Sequence, residues 1–98
     1  MRVLRSLPRR SYVFGVFKLQ RLLWDVRRDV AVAQRYLADT DAVLDEYGIS
    51  GPGRLAMRTF DFKGLFDLGV NPYLLYFCAI QLGVDRTEYY ARLRGEPH

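Results

Sequence analysis

The sequence predicts an all-α fold, a compact single domain of five to seven helices. Three observations point there. Helix-opening polar residues and helix-ending glycines recur every ten to fifteen residues. The apolar residues between them follow the 3.6-residue period rather than strand alternation. Ninety-eight residues suffice for one domain, and no linker or low-complexity tract divides them. "SYVFGVF" has a β-rich composition, but its continuation at helical spacing argues for helix.

The elements follow in order. Residues 1–11 read as a basic N-terminal arm and 12–95 as the helical domain. After Ser11, "YVFGVFKLQRLLWDVRRDV" sets Lys18, Arg21, Asp25 and Arg28 in one narrow wet stripe. Phe14, Phe17, Leu22, Leu23 and Trp24 are among the apolar residues that cover the rest. An ordinary surface helix has the opposite proportions. This one is either a central core helix or a helix packed on both its own domain and another subunit. "DVAVAQRYLADTDAVLDEYGIS" gives two shorter helices divided near Asp39, Thr40 and Asp41, and Gly48 suits the left-handed position ending the second. Ser50 can cap the next helix through "GPG". Asp61 caps "FKGLFDL", and Gly69 stops it. Asn71 and Pro72 form a cap-plus-first-residue pair, since proline has no N–H to waste there, and Gly83 ends that helix. Asp85 with Glu88 makes a capping box for "RTEYYARL", closed by Gly95.

Composition narrows the function classes. Half the residues are apolar, with seven tyrosines, six phenylalanines and one tryptophan. A chain this small buries only about two-thirds of its unfolded surface, so a partner is expected over part of that apolar load. "NPYLLYFCAIQL" poses the question most sharply, lying in a stretch from Leu68 to Val84 without one charged side chain. That stretch is too short for a membrane span, which needs ~20 residues. Residues 1–30 carry eight Lys/Arg against two acids, while 31–98 carry seven against nine. Basic arms can bind nucleic acid or acidic lipid. Nothing here interleaves aromatics with a basic face, so no nucleic-acid or membrane partner is expected. One cysteine, Cys78, precludes an internal disulfide and makes a cytoplasmic location the default.

Catalytic constellations are scarce. His98, the last residue, is the only histidine, so no Ser–His, His–Asp or multi-histidine metal site can form in an ordered interior. Cys78 sits in apolar sequence and reads as a structural thiol. The expected catalytic and metal residues of this chain are therefore none. Asn71, Tyr73 and Tyr76 stand out as a candidate substrate-pocket wall, because both tyrosines project to one side of a helix behind free N–H groups. The plainer alternative is that Asn71 caps and both tyrosines pack. Phe14, Phe17, Trp24 and Phe77 are the candidate partner interface.

The runs "RYLADTDAVLDEYGIS" and "DFKGLFDLGVNPYLL" resemble the small, all-helical alpha subunit of protocatechuate 4,5-dioxygenase and related extradiol ring-opening dioxygenases, the LigA-like family. The matching positions are Tyr36, Asp39, Leu44-Asp45-Glu46-Tyr47, Ser50, Asp61, and Gly69-x-Asn71-x-Tyr73. "TEYYARL" resembles the family's closing helix. The resemblance implies a non-catalytic subunit of a hetero-oligomer, with no cofactor of its own. Fe(II) is then expected in a beta-type catalytic partner, on two histidines and a glutamate. The small subunit would shape that partner's entrance for catechol-like aromatics. The family's segment between Gly-x-Asn-x-Tyr and the closing helix is longer than "LLYFCAIQLGVDR" here. A LigA-like recognition or accessory module for a different enzyme or peptide, in a natural-product pathway, is the alternative.

Overall fold

Short polar side chains set most of the helix boundaries. The computed structural model describes the backbone of residues 2–95 and the side chains of residues 15–95. Seven helices and no strand occur among the described residues: α1 (Arg2–Arg28), α2 (Val30–Ala38), α3 (Thr40–Glu46), α4 (Gly51–Thr59), α5 (Phe62–Asp67), α6 (Pro72–Gln81) and α7 (Arg86–Leu93). The first N–H groups of a helix lack intrahelical acceptors, and an aspartate or asparagine supplies one at five of these starts. Asp29 accepts from Ala31 N–H at 2.9 Å, Asp39 from Ala42 at 3.2 Å, Asp61 from Gly64 at 2.9 Å and Asp85 from Glu88 at 2.8 Å. Asn71 accepts from both Tyr73 and Leu74, at 2.8 and 3.3 Å.

Helix α1 begins at Arg2. Two expectations change. Ser50 precedes α4 with extended dihedrals, but its side chain makes no capping bond. The entry turn rests instead on Gly51, whose φ of 67° lies in the left-handed region that favours glycine. The capping box at α7 is half formed. Asp85 caps, while the Glu88 carboxylate turns forward to Arg92 at 2.8 Å, where the i,i+4 geometry favours the opposite charge.

The core forms where one stripe of each helix converges. Helix α1 contributes Leu19, Leu22, Leu23 and Val26; α2 adds Ala33 and Tyr36; α3 adds Val43 and Leu44. Met57, Phe62, Leu65, Leu75, Cys78, Ala79 and Tyr89 close it from α4 to α7. Helices α1 and α6 pack most extensively and are tied at two levels. Asn71 N–H donates to Gln20 Oε1 at 2.6 Å, and Gln81 Nε2 donates to the Arg27 carbonyl at 3.3 Å. Both helices therefore run in the same direction, with the start of α6 beside Gln20 and its end beside Arg27. No helix among the described residues is long and apolar enough to cross a membrane.

Because the Asn71 side chain accepts from two N–H groups of α6, Asn71→Ala is expected to cost about 1 kcal/mol, the backbone link to Gln20 being kept. That corresponds to a fall in Tm of roughly 4–8 °C for a domain of this size. Thermal unfolding followed by circular dichroism is the check, and an unchanged Tm would show the cap to be idle.

Candidate functional site

Helix α6 contains no charged residue, so its buried side is chosen by its neighbours α1, α5 and α7. Leu75, Cys78 and Ala79 face inward, and Leu82 just beyond the helix is buried with them. Tyr73, Phe77 and Ile80, at helical spacing on the other side, are 75%, 38% and 40% exposed. Tyr73 and Phe77 stack with ring centroids 5.8 Å apart. The row continues in both directions. On the α7 side, Tyr76 makes an edge contact with Phe77 at 5.2 Å and stacks on Tyr90 at 6.1 Å. On the α1 side, the Arg27 guanidinium lies 5.2 Å from the Phe77 ring and 5.3 Å from the Trp24 ring.

The outcome is one aromatic band across α1, α6 and α7, from Trp24 through Phe77 and Tyr76 to Tyr90. Trp24 and Tyr90 are both 44% exposed, and Tyr76 is partly buried. Isolated exposed apolar residues are ordinary, but a contiguous row of this kind marks a surface that meets something. The structure thus brings together Tyr73, Tyr76, Trp24 and Phe77, with Asn71 as the cap at the start of the same helix. Sequence reasoning missed Ile80, Tyr90 and Arg27. Ile80 was legible, since it falls on the Tyr73–Phe77 face at helical spacing. Tyr90 and Arg27 join through tertiary packing, which no spacing shows.

Phe17 belongs elsewhere. It lines an open cleft of about 430 Å³ with Lys18, Arg21, Asp25, Glu46 and Tyr47. There Tyr47 donates to Asp25 at 2.6 Å. Its pKa is pushed up to about 12, first by burial and then by that hydrogen bond. A phenol held protonated against a carboxylate is a tether between α1 and the end of α3, not a poised base. Phe14 lies outside the described side chains, and His98 outside the described residues.

The remaining chemistry is sparse. The Cys78 thiol is buried and pushed up to about 12 by loss of solvent, which disfavours the thiolate that a nucleophile requires. Among the described residues no group of three His, Cys, Asp or Glu side chains is placed to hold a metal ion. The described side chains therefore do not fit an iron centre.

The motif positions acquire physical roles. Tyr36 is buried and donates to the Met57 carbonyl at 2.6 Å. Asp39, Asp61 and Asn71 cap helices, and Leu44 is core. Asp45 pairs with Arg54, Glu46 with Arg35 and Tyr47 with Asp25, while Gly69 turns with a φ of 98°. Tyr73 is different. Its hydroxyl makes no hydrogen bond among the described residues, and its ring, 75% exposed, stacks on Phe77.

The family model described as "Aromatic-ring-opening dioxygenase LigAB, LigA subunit" matches residues 19–98. A gallate dioxygenase of Pseudomonas putida is 33% identical over 63 residues, which make up 64% of this chain and 18% of that protein. The chain thus spans under a fifth of the length of that curated relative. No solved structure matches the chain significantly. The all-helical fold, the helix-capping motif residues and a family match over most of the chain converge: this protein belongs to the family of LigA subunits of aromatic-ring-opening dioxygenases.

Proposed function

We propose that the chain is the non-catalytic small subunit of an extradiol-type, non-haem iron dioxygenase. Its aromatic band packs on the iron-bearing catalytic subunit, and Asn71, Tyr73 and Tyr76 border the entrance for catechol-like aromatics. The observation that carries this reading is the charge-free helix α6, which turns Tyr73, Phe77 and Ile80 outward beside Trp24. In water that face is a standing cost. Burying such side chains contributes about 1.5–3 kcal/mol each, before the loss of rigid-body freedom on association. The gallate dioxygenase lends support, because there the similar region is part of a longer polypeptide. Iron in this reading belongs to the partner. The chain's own contribution is to cover apolar surface, exclude water and place Tyr73 at the rim.

The test is purification of the intact complex with its natural partner, followed by iron analysis and a ring-cleavage assay. Tyr73→Ala is expected to leave assembly intact while lowering kcat/KM for the aromatic substrate by about 10-fold, or ~1.4 kcal/mol. Unchanged kinetics in that variant would remove Tyr73 from the entrance. One observation favours a second reading. The chain passes from α6 to α7 through residues 82–85 alone, with no longer segment between those helices to close over a substrate. A partner without a metal site would assign the same band to a recognition module.

A further inference from the structure

Arg27 occupies an unusual place in the aromatic band. Its guanidinium lies over two exposed rings, 5.3 Å from Trp24 and 5.2 Å from Phe77. Its backbone carbonyl is held by Gln81. Yet it has no acidic partner among the described residues. Asp25, the nearest acid along α1, is engaged by Tyr47 at 2.6 Å and by Arg28 at 3.4 Å. Asp29 is occupied as the cap of α2. The adjoining helix α6 offers no charge at all. The neighbouring Arg28 shows the contrast, because it also approaches Trp24, at 6.0 Å, but is already paired.

A cation framed by apolar rings is tolerable while water reaches it. Covering the band strips that water away, and a dehydrated guanidinium without a counter-charge costs far more than the rings return. Whatever covers Trp24 and Phe77 must therefore bring acceptors to Arg27. The matching chemistry is a carboxylate, which the planar guanidinium binds through two parallel N–H···O bonds. Stacking between the rings already restricts the side chain, so little further order is lost when that pair forms.

We infer that Arg27 is the polar anchor of the subunit interface, and that the catalytic subunit covering the band presents one aspartate or glutamate, ringed by apolar side chains, to its guanidinium. This rests on the small-subunit reading above. The specific addition is a buried arginine–carboxylate pair between Trp24 and Phe77 within the aromatic contact.

The experiment measures affinity of the chain for its co-purified catalytic subunit, using Arg27→Met, Arg27→Lys and Phe77→Ala. Arg27→Met retains the apolar cover but strands the partner's carboxylate. It is expected to weaken association by about 30-fold or more and to recover affinity as the pH falls and that acid takes up a proton. Arg27→Lys keeps the charge without the planar fork and should lose less. All three variants should melt as folded proteins, since Arg27 and Phe77 are both exposed in the free chain. If Arg27→Met binds as tightly as the parent while Phe77→Ala does not, the band is the interface and the carboxylate anchor is wrong. If neither variant changes affinity, the band is not the interface and both readings fall. If Arg27→Met assembles normally but raises KM for an aromatic acid, the carboxylate is the substrate's and the docking inference is overturned.

Discussion

Trp24→Ala combined with Phe77→Ala is expected to lower affinity for the catalytic subunit by about 100-fold, or ~2.7 kcal/mol, without unfolding the chain. The two rings flank the same guanidinium, so their losses will not simply add. Interface energy concentrates in a few aromatic and arginine side chains near the centre of a patch, and these are the large side chains of the band nearest Arg27. Each is already partly covered by its own chain, at 44% and 38% exposure. Truncation will therefore also cost some fold stability, which an accompanying urea titration separates from the binding loss. Leu37→Ala serves as the control. It removes a somewhat more exposed apolar side chain, 53% accessible, outside the band, and should leave affinity within about 2-fold. Equal loss in both variants would mean that general destabilisation, not the band, governs assembly.

Tyr36→Ala is expected to cost about 3–5 kcal/mol, in the range for deleting a large core aromatic. Against a total stability of ~5–15 kcal/mol for a domain of this length, that leaves a marginal fold. Tyr36 is completely buried, and its hydroxyl answers a specific need. Helix α4 ends at Phe60 with φ 55° and ψ 41°, the left-handed conformation usually left to glycine. Ending there leaves carbonyls of the last turn short of helical donors. Tyr36 supplies one at 2.6 Å to Met57, and Arg92 of α7 reaches the carbonyls of Thr59 and Phe60 at 3.2 and 3.4 Å. Burial is the main cause holding the Tyr36 proton in place, so the donor is retained. Tyr36→Phe isolates the hydroxyl. It is expected to cost about 1–3 kcal/mol, because the Met57 carbonyl is left buried and poorly paired. Urea unfolding of both variants is the measurement. A Phe variant as stable as the parent would reduce Tyr36 to a space-filling ring.

Much of this was legible one residue at a time. Asp61, Asn71 and Asp85 cap the helices that the local sequence assigns them, and among Asp39, Thr40 and Asp41 it is Asp39 that caps, because a cap acts within two or three residues and needs no knowledge of the rest of the chain. Gly48, Gly69, Gly83 and Gly95 all take positive φ where a helix had to end. Ser50 shows the limit of that logic, since a suitable residue in a suitable place makes no capping bond once Gly51 has set the turn. Phe60 shows it more strongly. No local rule assigns a phenylalanine to the left-handed region, and the conformation persists because Tyr36 and Arg92, distant in sequence, secure the carbonyls around it.

The candidate surface divides along the same line. That "NPYLLYFCAIQL" forms a helix lacking a charged face is a property of the sequence alone, as is the aromatic surplus that calls for a partner. Which side of that helix stays in water is not. When every position is apolar the 3.6-residue period has no contrast to report, and the choice falls to whichever neighbours cover one side. Packing against α1, α5 and α7 buried Leu75, Cys78 and Ala79 and left Tyr73, Phe77 and Ile80 outside. The same packing set Arg27 beside Phe77, across a sequence separation that no periodicity spans. Helix identity and helix ends were written locally; the face presented to a partner, and the charge at its centre, came from the tertiary contact between α1 and α6.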